Sequence, residues 1–282
     1  ITIDPVDARD FDDAISVERI EGRRWRLWVH IADVSHYVPP KSALDKEARR
    51  RGNSTYLVDR VIPMLPEELS NELCSLKPNV DRLARSVEFV LTDSGRVEQA
   101  RFHSTVIRSK HRYAYEEAMA ILDREPQNKT EQMLHHANRL AQKLRKARFR
   151  SGALNLDVPE HKVFLDAKGR VSEVRRIEND ISHQLIEEFM LLANEAVAKE
   201  IKRRRAKAVH RIHEEPDDEK LDNLRAQAAL AGLRACVKGM ATSSTVSSLF
   251  AKLPHSSRAA GHSPCTLPAL MSASRSGITP CH

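Results

Sequence analysis

Apolar and polar residues alternate between Arg24 and Val34 around the apolar residues Trp25, Leu27, Val29 and Ile31. This period of two predicts a strand with one buried face. Residues 85–92 and 96–107 predict a hairpin about Asp93-Ser94-Gly95, because glycine tolerates the positive φ that such turns require. A second pair of strands is predicted around Ala167-Lys168-Gly169.

Other segments carry apolar residues at the three- and four-residue spacing of an amphipathic helix. Helices are predicted over about 42–51, 113–122, 131–148 and 183–204. The last of these has an apolar stripe wide enough for burial on most sides. It ends in the basic run 202–205, which is either a helix terminus favoured by the helix dipole or a phosphate contact. Strands mixed with helices in this way predict an α+β fold.

Five carboxylates fall within the first thirteen residues, at positions 4, 7, 10, 12 and 13. The residues around them are typical of a core: Ile1, Ile3, Phe11, Ala14, Ile15 and Val17. Carboxylates packed this densely repel one another unless cations lie among them. Hard oxygen ligands suit Mg²⁺ or Mn²⁺, and such sites commonly act on phosphate groups. The segment therefore predicts a divalent metal site.

Two other interpretations of the acidic segment are weaker. A solvated acidic loop is the default for an isolated acidic run, but the apolar neighbours argue against it. A calcium loop of the EF-hand type lacks the turn glycine and the closing glutamate at the required offsets. If the segment is strand- or turn-like, Asp10 and Asp12 share one side, Asp13 faces elsewhere, and Asp4 enters from an adjacent strand or turn.

Net charge, apolar runs and cysteine spacing indicate the kind of substrate and the cellular compartment. The 282 residues carry a net charge of +7 despite the acidic segment, so basic charge dominates elsewhere and suits a polyanionic substrate. No apolar run approaches the length of a membrane span, and no signal peptide opens the chain. The four cysteines have neither disulfide nor zinc spacing, so a reducing cytoplasm is expected, with Cys74 as a small buried residue.

Six sequence blocks resemble, in the same order, motifs of the ribonuclease II / ribonuclease R family of exoribonucleases, and the chain is most similar to the ribonuclease R branch. The blocks cover residues 1 to about 234 and read IDPVDARDFDDAI (3–15), WVHIADVSHYV (28–38), YLVDRVIPMLP (56–66), LSNELCSL (69–76), IEEFMLLAN (186–194) and RIHEEP (211–216). The resemblance implies the family's catalytic RNB domain, a mixed β-sheet surrounded by helices, here truncated. It also implies a 3′→5′ exoribonuclease that hydrolyses single-stranded RNA to nucleoside 5′-monophosphates.

The resemblance also assigns roles to residues. It implies that Asp12 is the position most critical to cleavage, whereas Asp4, Asp10 and Asp13 hold Mg²⁺, with Mn²⁺ as the alternative. Tyr56 corresponds to an aromatic residue that packs on nucleotides near the 3′ end, and a core tyrosine is the alternative. Glu187 corresponds to a glutamate that contacts the terminal nucleotide.

Other residues in or near the motifs are not expected to bind metal or to be essential for RNA binding. Leu156 occupies the place of the family's second stacking aromatic, which puts a two-sided clamp in doubt. Glu188 is expected to be a surface carboxylate. The three histidines that lie in matching motifs are expected to pack or to form hydrogen bonds rather than to bind metal: His30, His36 and His213.

The composition of the chain changes towards its C-terminal end. Residues 1–234 are predicted to be a partial RNB domain, and residues 235–282 an aberrant tail, either frameshifted or disordered, since no Asp or Glu follows Asp222. The family's RNA-gripping flanking domains and its arginine-bearing catalytic block are not found in the chain. We therefore expect impaired activity. The chain is also expected to be a monomer. The rivals are a non-catalytic RNA-binding remnant and a poorly folded product.

Overall fold

The computed structural model describes residues 1–153, 160–177, 179–208 and 217–230. In chain order the strands are β1 (Thr2–Asp4), β2 (Asp13–Ile20), β3 (Arg24–Ala32), β4 (Thr55–Tyr56), β5 (Val61–Ile62), β6 (Asp81–Leu91), β7 (Val97–Arg108), β8 (Arg112–Ala114), β9 (Glu160–Leu165) and β10 (Val171–Ile177). The helices are α1 (Val34–Tyr37), α2 (Ala43–Arg51), α3 (Tyr115–Leu122), α4 (Lys129–Arg150), α5 (Ile181–Arg203) and α6 (Asp218–Leu230), with a π-helical turn at Glu68–Leu73.

Described residues before 145 and those in 160–198 form one compact unit. The remaining described residues belong to a second unit and comprise α6 with the ends of α4 and α5. Within the second unit, Arg203 and Arg204 both form ion pairs with Glu200, at 2.7 and 2.5 Å. The basic run at the end of α5 therefore makes ion pairs within its own helix.

The first unit is built on a four-stranded antiparallel sheet in the order β2-β3-β6-β7. The hairpin predicted between β6 and β7 is confirmed. The backbone N–H of Thr92 donates to the carbonyl of Arg96 at 2.9 Å, and Gly95 adopts a φ of +89°. The strand predicted from Arg24 and the pair β9-β10 are confirmed as well.

A parallel pair of strands, β1 and β8, adjoins the edge of this sheet. Strand β1 pairs in parallel with β8, so that Asp4 lies opposite Ala114. Ile1 and Ile15 exchange both backbone hydrogen bonds, at 2.9 and 3.0 Å, which is the pattern of an antiparallel pair and joins the start of β1 to β2. Antiparallel and parallel ladders together with helices confirm the α+β prediction.

One face of the sheet is buried by helices, because their apolar stripes need the same cover that the sheet does. The buried cluster takes residues from the strands and from α3, α4 and α5, among them Ile3, Ile15, Trp25, Leu27, Val29, Phe89, Ile121, Leu134, Leu140, Leu185 and Phe189. A second cluster holds Phe11, Ala14, Ala32, Leu69, Cys74 and Leu76. The prediction that Cys74 is a small buried residue is confirmed.

The predicted helices agree with α2, α3, α4 and α5 to within a few residues. At α2 the hydroxyl of Ser42 accepts from the N–H of Asp45 at 3.1 Å, as an N-cap should. The prediction was wrong at Tyr113, which lies in β8 rather than in a helix. A three-residue strand has too little pattern to be recognised, and its formation depends on β1, which is remote in the chain.

Among the described residues, no helix has the length and apolar character to cross a bilayer. The predicted boundary near residue 234 and the predicted tail 235–282 lie outside the described residues.

The buried stripe of α4 gives a direct test of this core. Leu140 is fully buried, so Leu140→Ala is expected to lower the free energy of unfolding by about 2–4 kcal/mol through lost burial and a residual cavity. Gln142, on the exposed side of the same helix, is the control, and Gln142→Ala should change stability by less than about 0.5 kcal/mol. Urea unfolding followed by circular dichroism measures both. Equal effects would show that this face of α4 is not in the core.

Candidate metal and RNA site

The acidic residues lie on one loop whose two ends are held together. We call residues 5–12 the acidic loop. It leaves β1 after Asp4 and enters β2 at Asp13. The Ile1–Ile15 pair holds these two strands side by side, so Asp4 and Asp13 stand at the base of the loop. Asp10 and Asp12 lie on its returning arm. Asp4 thus reaches the cluster from an adjacent strand, as expected.

Backbone hydrogen bonds anchor the returning arm. The fully buried Ser75 hydroxyl accepts from the N–H of Phe11 at 3.1 Å and donates to the carbonyl of Arg9 at 2.8 Å. The N–H of Leu76 donates to the carbonyl of Phe11, and that of Ala32 to the carbonyl of Asp12, both at 2.9 Å. All six apolar residues predicted to surround the carboxylates are buried. This burial argues against a fully solvated acidic segment, although residues 5–7 and 9 of the loop are exposed.

Burial makes the two carboxylates at the base hard to ionise. Desolvation raises the pKa of Asp4 to about 6, and the charges of Asp12 and Asp10 add to the rise, while Thr2 and Arg112 oppose it. Desolvation also raises the pKa of Asp13 to about 7, and the neighbouring Asp4 and Asp12 carboxylates contribute. Like charges held in a poorly solvated place raise each other's pKa in this way.

The base of the loop also contains unsatisfied oxygens. Oδ2 of Asp4 and Oδ2 of Asp13 are buried and accept no hydrogen bond. Buried acceptors without a donor are costly, and a cation would satisfy them. The donor set, carboxylate oxygens alone, fits a hard divalent ion such as Mg²⁺.

The four aspartates do not form a finished coordination shell. Within the described parts of the chain, no three His, Cys, Asp or Glu side chains have the geometry of a metal site. The electrostatic coupling nevertheless links Asp4 with Asp10, Asp12 and Asp13. The metal-binding role of these residues therefore stays a prediction, supported by convergence and by the unsatisfied oxygens.

Asp7 stands apart from the cluster. It is exposed, and its carboxylate forms an ion pair with Lys162 of β9 at 2.9 Å. That hydrogen bond lowers the pKa of Asp7, opposite to the shifts of Asp4 and Asp13. Its omission from the predicted ligands agrees with this placement.

A cation lies beside the loop. Arg112 of β8 donates a hydrogen bond from its guanidinium group to the carbonyl of Pro5, and the same group lies over the ring of Phe11 at 5.4 Å. Its charge lowers the pKa of Asp4 and of Asp7. Arg112 thus fastens the outgoing arm of the loop to the neighbouring strand.

Tyr56 lies in β4 with its residue surface 63% exposed, so the alternative of a core tyrosine is wrong. Partial burial raises the pKa of its hydroxyl, and the Asp10 and Asp12 carboxylates raise it further. The hydroxyl therefore lies within electrostatic range of the returning arm. An exposed ring next to the acidic loop is available for stacking.

Of the two neighbouring glutamates of α5, Glu188 differs from expectation. Glu187 is partly exposed, whereas Glu188 is only 3% exposed, and the prediction of a surface carboxylate for Glu188 was wrong. The cause is the width of the buried face of α5, because Glu188 lies between Leu185 and Phe189, both fully buried. Sequence period alone does not show on which side such a wide face ends.

Two of the three motif histidines are described. The Nδ1 of His30 lies 2.7 Å from the hydroxyl of Ser86, and burial lowers the pKa of His30 to about 4. His36 packs edge-on against Tyr37. These contacts confirm that both serve packing or hydrogen bonding. His213 and Leu156 lie outside the described residues.

Two aromatic rings near the cluster were missed from the sequence. Tyr115 begins α3 directly after β8, and its ring stacks on the ring of His183 at 3.8 Å between centroids. Burial raises the pKa of Tyr115, and the Asp13 and Asp4 carboxylates raise it further. The pairing of β1 with β8 brings Tyr115 to the cluster, and no local signal reveals that pairing. The one sequence cue is the spacing Asp180-x-x-His183 ahead of an apolar helix.

Comparisons with known proteins identify the family of the chain. The family model described as "RNB domain" matches residues 1–274. Ribonuclease R of Thermotoga maritima is 45% identical over 241 residues, which are 83% of this chain and 34% of that protein. The chain thus spans about a third of the length of this relative.

Solved structures give the same result. Mycoplasma genitalium RNase R in complex with double-stranded RNA superposes with a TM-score of 0.84 at 30% identity, covering 89% of this chain and 46% of that one. The same enzyme in complex with ribose-methylated single-stranded RNA gives a TM-score of 0.83 at 29% identity, covering 90% and 41%.

The electrostatic strain at the base of the loop gives a prediction for stability. In metal-free protein at pH 8, Asp13→Asn is expected to raise the free energy of unfolding by about 1–2 kcal/mol, because it removes a desolvated charge beside two carboxylates. The pKa of Asp13 is raised on folding, so the penalty is absent below the ordinary value of 3.8 and complete above about 7. The gain should therefore shrink as the pH falls.

Urea unfolding at pH 8 and at lower pH, in the presence of a chelator, measures this effect. Asp7→Asn is the matched control, since Asp7 is exposed and loses an ion pair, and it should bring no gain at either pH. A loss of stability for Asp13→Asn at pH 8 would contradict the assignment of electrostatic strain.

Proposed function

The chain belongs to the RNB domain family, and on that premise we propose that it is catalytic-domain sequence of a 3′→5′ exoribonuclease, monomeric and cytoplasmic. The substrate is single-stranded RNA, and the products are nucleoside 5′-monophosphates. The observation that carries the proposal is the anchored acidic loop, whose base holds two buried carboxylate oxygens without donors. Because the chain spans a third of a curated relative, the activity is proposed for the protein that contains it.

RNB exoribonucleases generally depend on divalent metal ions. We assign Mg²⁺, with Mn²⁺ as the alternative, to Asp4, Asp10 and Asp13. When bound, such an ion lowers the pKa of a coordinated water and stabilises charge on phosphate oxygens. The chain itself supplies the preorganisation. Ser75, Leu76 and Ala32 fix the backbone of the returning arm, so little rearrangement is needed when the cation binds.

Asp12 is proposed as the residue most critical to cleavage. Its carbonyl is fixed by Ala32 and its carboxylate is coupled to Asp4 and Asp13, so its side chain stands at the cluster rather than in open solvent. A carboxylate in that position can orient a water and accept its proton.

Tyr56 and Glu187 are proposed to hold the RNA. A base stacked on the exposed Tyr56 ring would lie next to Asp10 and Asp12. Stacking tolerates any base, as an exonuclease requires, and contributes on the order of 1–3 kcal/mol per base. Glu187 is proposed to contact the terminal nucleotide. The excess of basic over acidic residues, 46 against 39, favours the polyanionic substrate.

The first test uses the protein that contains this chain and a 5′-labelled oligo(A) with Mg²⁺. Stepwise shortening from the 3′ end and release of AMP are expected. Asp12→Asn should lower the rate about 10²–10⁴-fold with little change in RNA affinity, because it removes a proton acceptor and not an RNA contact. Asp7→Asn is the control and should retain most activity. Salt-dependent binding without mononucleotide release by the wild type would instead support a non-catalytic RNA-binding remnant.

The second test addresses stacking. Tyr56→Ala should weaken RNA binding by about 1–3 kcal/mol, roughly 5- to 150-fold in Kd, whereas Tyr56→Phe keeps the ring and should stay near wild type. Fluorescence anisotropy with labelled RNA in the presence of Ca²⁺ separates binding from cleavage. If the alanine variant binds as tightly as the phenylalanine variant, the ring does not contact RNA.

A further inference from the structure

Two helices that are remote in the chain, α3 and α5, bring a pair of stacked rings beside the acidic loop. Tyr115 is the first residue of α3, and the residue before it, Ala114, lies opposite Asp4 in the β1–β8 ladder. His183 lies in the first turn of α5. The two rings are nearly parallel, with 13° between their planes and 3.8 Å between their centroids. The stack therefore connects the start of α5 to β8, and β8 pairs with β1, the strand that carries Asp4.

His183 is itself held in a fixed orientation. Its Nδ1 lies 2.8 Å from Oδ1 of Asp180, the residue just before α5. The same oxygen accepts from the N–H of Ser182 at 2.9 Å, the hydroxyl of Ser182 at 2.6 Å and the N–H of His183 at 3.2 Å. A side chain that caps a helix start in this way has one orientation, and so has the imidazole bound to it.

The stacked rings lie between the aspartates, which are near Tyr115, and α5, which carries His183. The hydroxyl of Tyr115 is within electrostatic range of Asp4 and Asp13. Glu187 follows His183 by four residues, so the two project from the same face of α5. A change in the stack would move the wall of the acidic cluster relative to Glu187.

We propose that His183, oriented by Asp180, is a positioning residue of the nuclease site. Its imidazole fixes the Tyr115 ring against the base of the acidic loop and so sets the distance between the aspartates and α5. This inference rests on the proposed function. It assigns a role to a histidine that lies outside the motif blocks.

A purely structural role makes a different prediction. If His183 only caps α5 and fills space, its loss lowers stability without changing the environment of the aspartates in the folded fraction. If it positions Tyr115, its loss lowers the maximal rate while RNA is still bound. A misplacement of about 1 Å in a catalytic arrangement can reduce the rate about 100-fold.

The experiment compares three variants in the full protein that contains this chain. His183→Ala removes the ring, His183→Phe keeps a ring for stacking but loses the bond to Asp180, and His36→Ala changes a histidine that contacts only Tyr37 among rings. We expect His183→Ala to lower kcat about 10- to 100-fold with KM within about threefold. His183→Phe should recover most of the loss, and His36→Ala should match wild type.

Terbium luminescence supplies a measurement that needs no RNA cleavage. Tb³⁺ bound among the aspartates should be sensitised by the phenol ring of Tyr115, and the Tyr115→Phe difference isolates that contribution from the tryptophans. We expect the Tyr115-dependent emission to fall several-fold in His183→Ala and to recover in His183→Phe, at temperatures where all variants are folded.

The outcomes separate the two proposals. Unchanged kcat and unchanged Tyr115-dependent emission in folded His183→Ala would overturn the positioning role, as would an absence of that emission in wild type. A loss of kcat without a change in emission would also overturn it, because His183 would then act by another route. A wild-type protein that degrades no RNA but shows the expected emission changes would remove the nuclease proposal and leave only the placement of Tyr115 against the aspartates by His183.

Discussion

The pairing of Ile1 with Ile15 is the constraint on which the site depends. Two backbone hydrogen bonds close the acidic loop and hold Asp4 and Asp13 together against their mutual repulsion. The apolar residues on either side shield that pair from water, which raises the pKa of both carboxyls. The free energy of folding therefore holds two carboxylates close together despite their repulsion and their desolvation. Shifted pKa values of this kind are common at functional sites.

Neutral groups anchor the returning arm of this loop, and charged groups anchor its outgoing arm. Ser75, Leu76 and Ala32 bind the backbone of the returning arm, whereas the Asp7 carboxylate on the outgoing arm pairs with Lys162. Arg112 supplies a positive charge close to Asp4, yet its hydrogen bond goes to the carbonyl of Pro5. This division explains why buried carboxylate oxygens are left without donors in an otherwise well-bonded region. Rigidity comes from the main chain, and binding capacity is kept in the side chains.

Sequence patterns predicted β3, the β6–β7 hairpin, the β9–β10 pair, the helices α2 to α5 and the buried surroundings of the carboxylates, because strand and helix periods are local properties. They failed where a long-range contact decides the outcome. Strand β8 forms only because β1 is beside it, Glu188 is buried only because α5 is covered on that side, and the Tyr115–His183 stack joins two segments far apart in the chain. The hydroxyl of Ser75 lies within a recognised motif, but its bonds to Arg9 and Phe11 had no sequence signature.

The β1–β8 ladder has a consequence for the order of folding. Arg112 and Pro5 lie 107 residues apart, and their contact fastens the acidic loop to β8. Contacts of such sequence separation carry a high loop-closure entropy and form late, whereas the β6–β7 hairpin joins strands that are adjacent in the chain. The acidic loop is therefore expected to reach its final geometry only after that hairpin has formed.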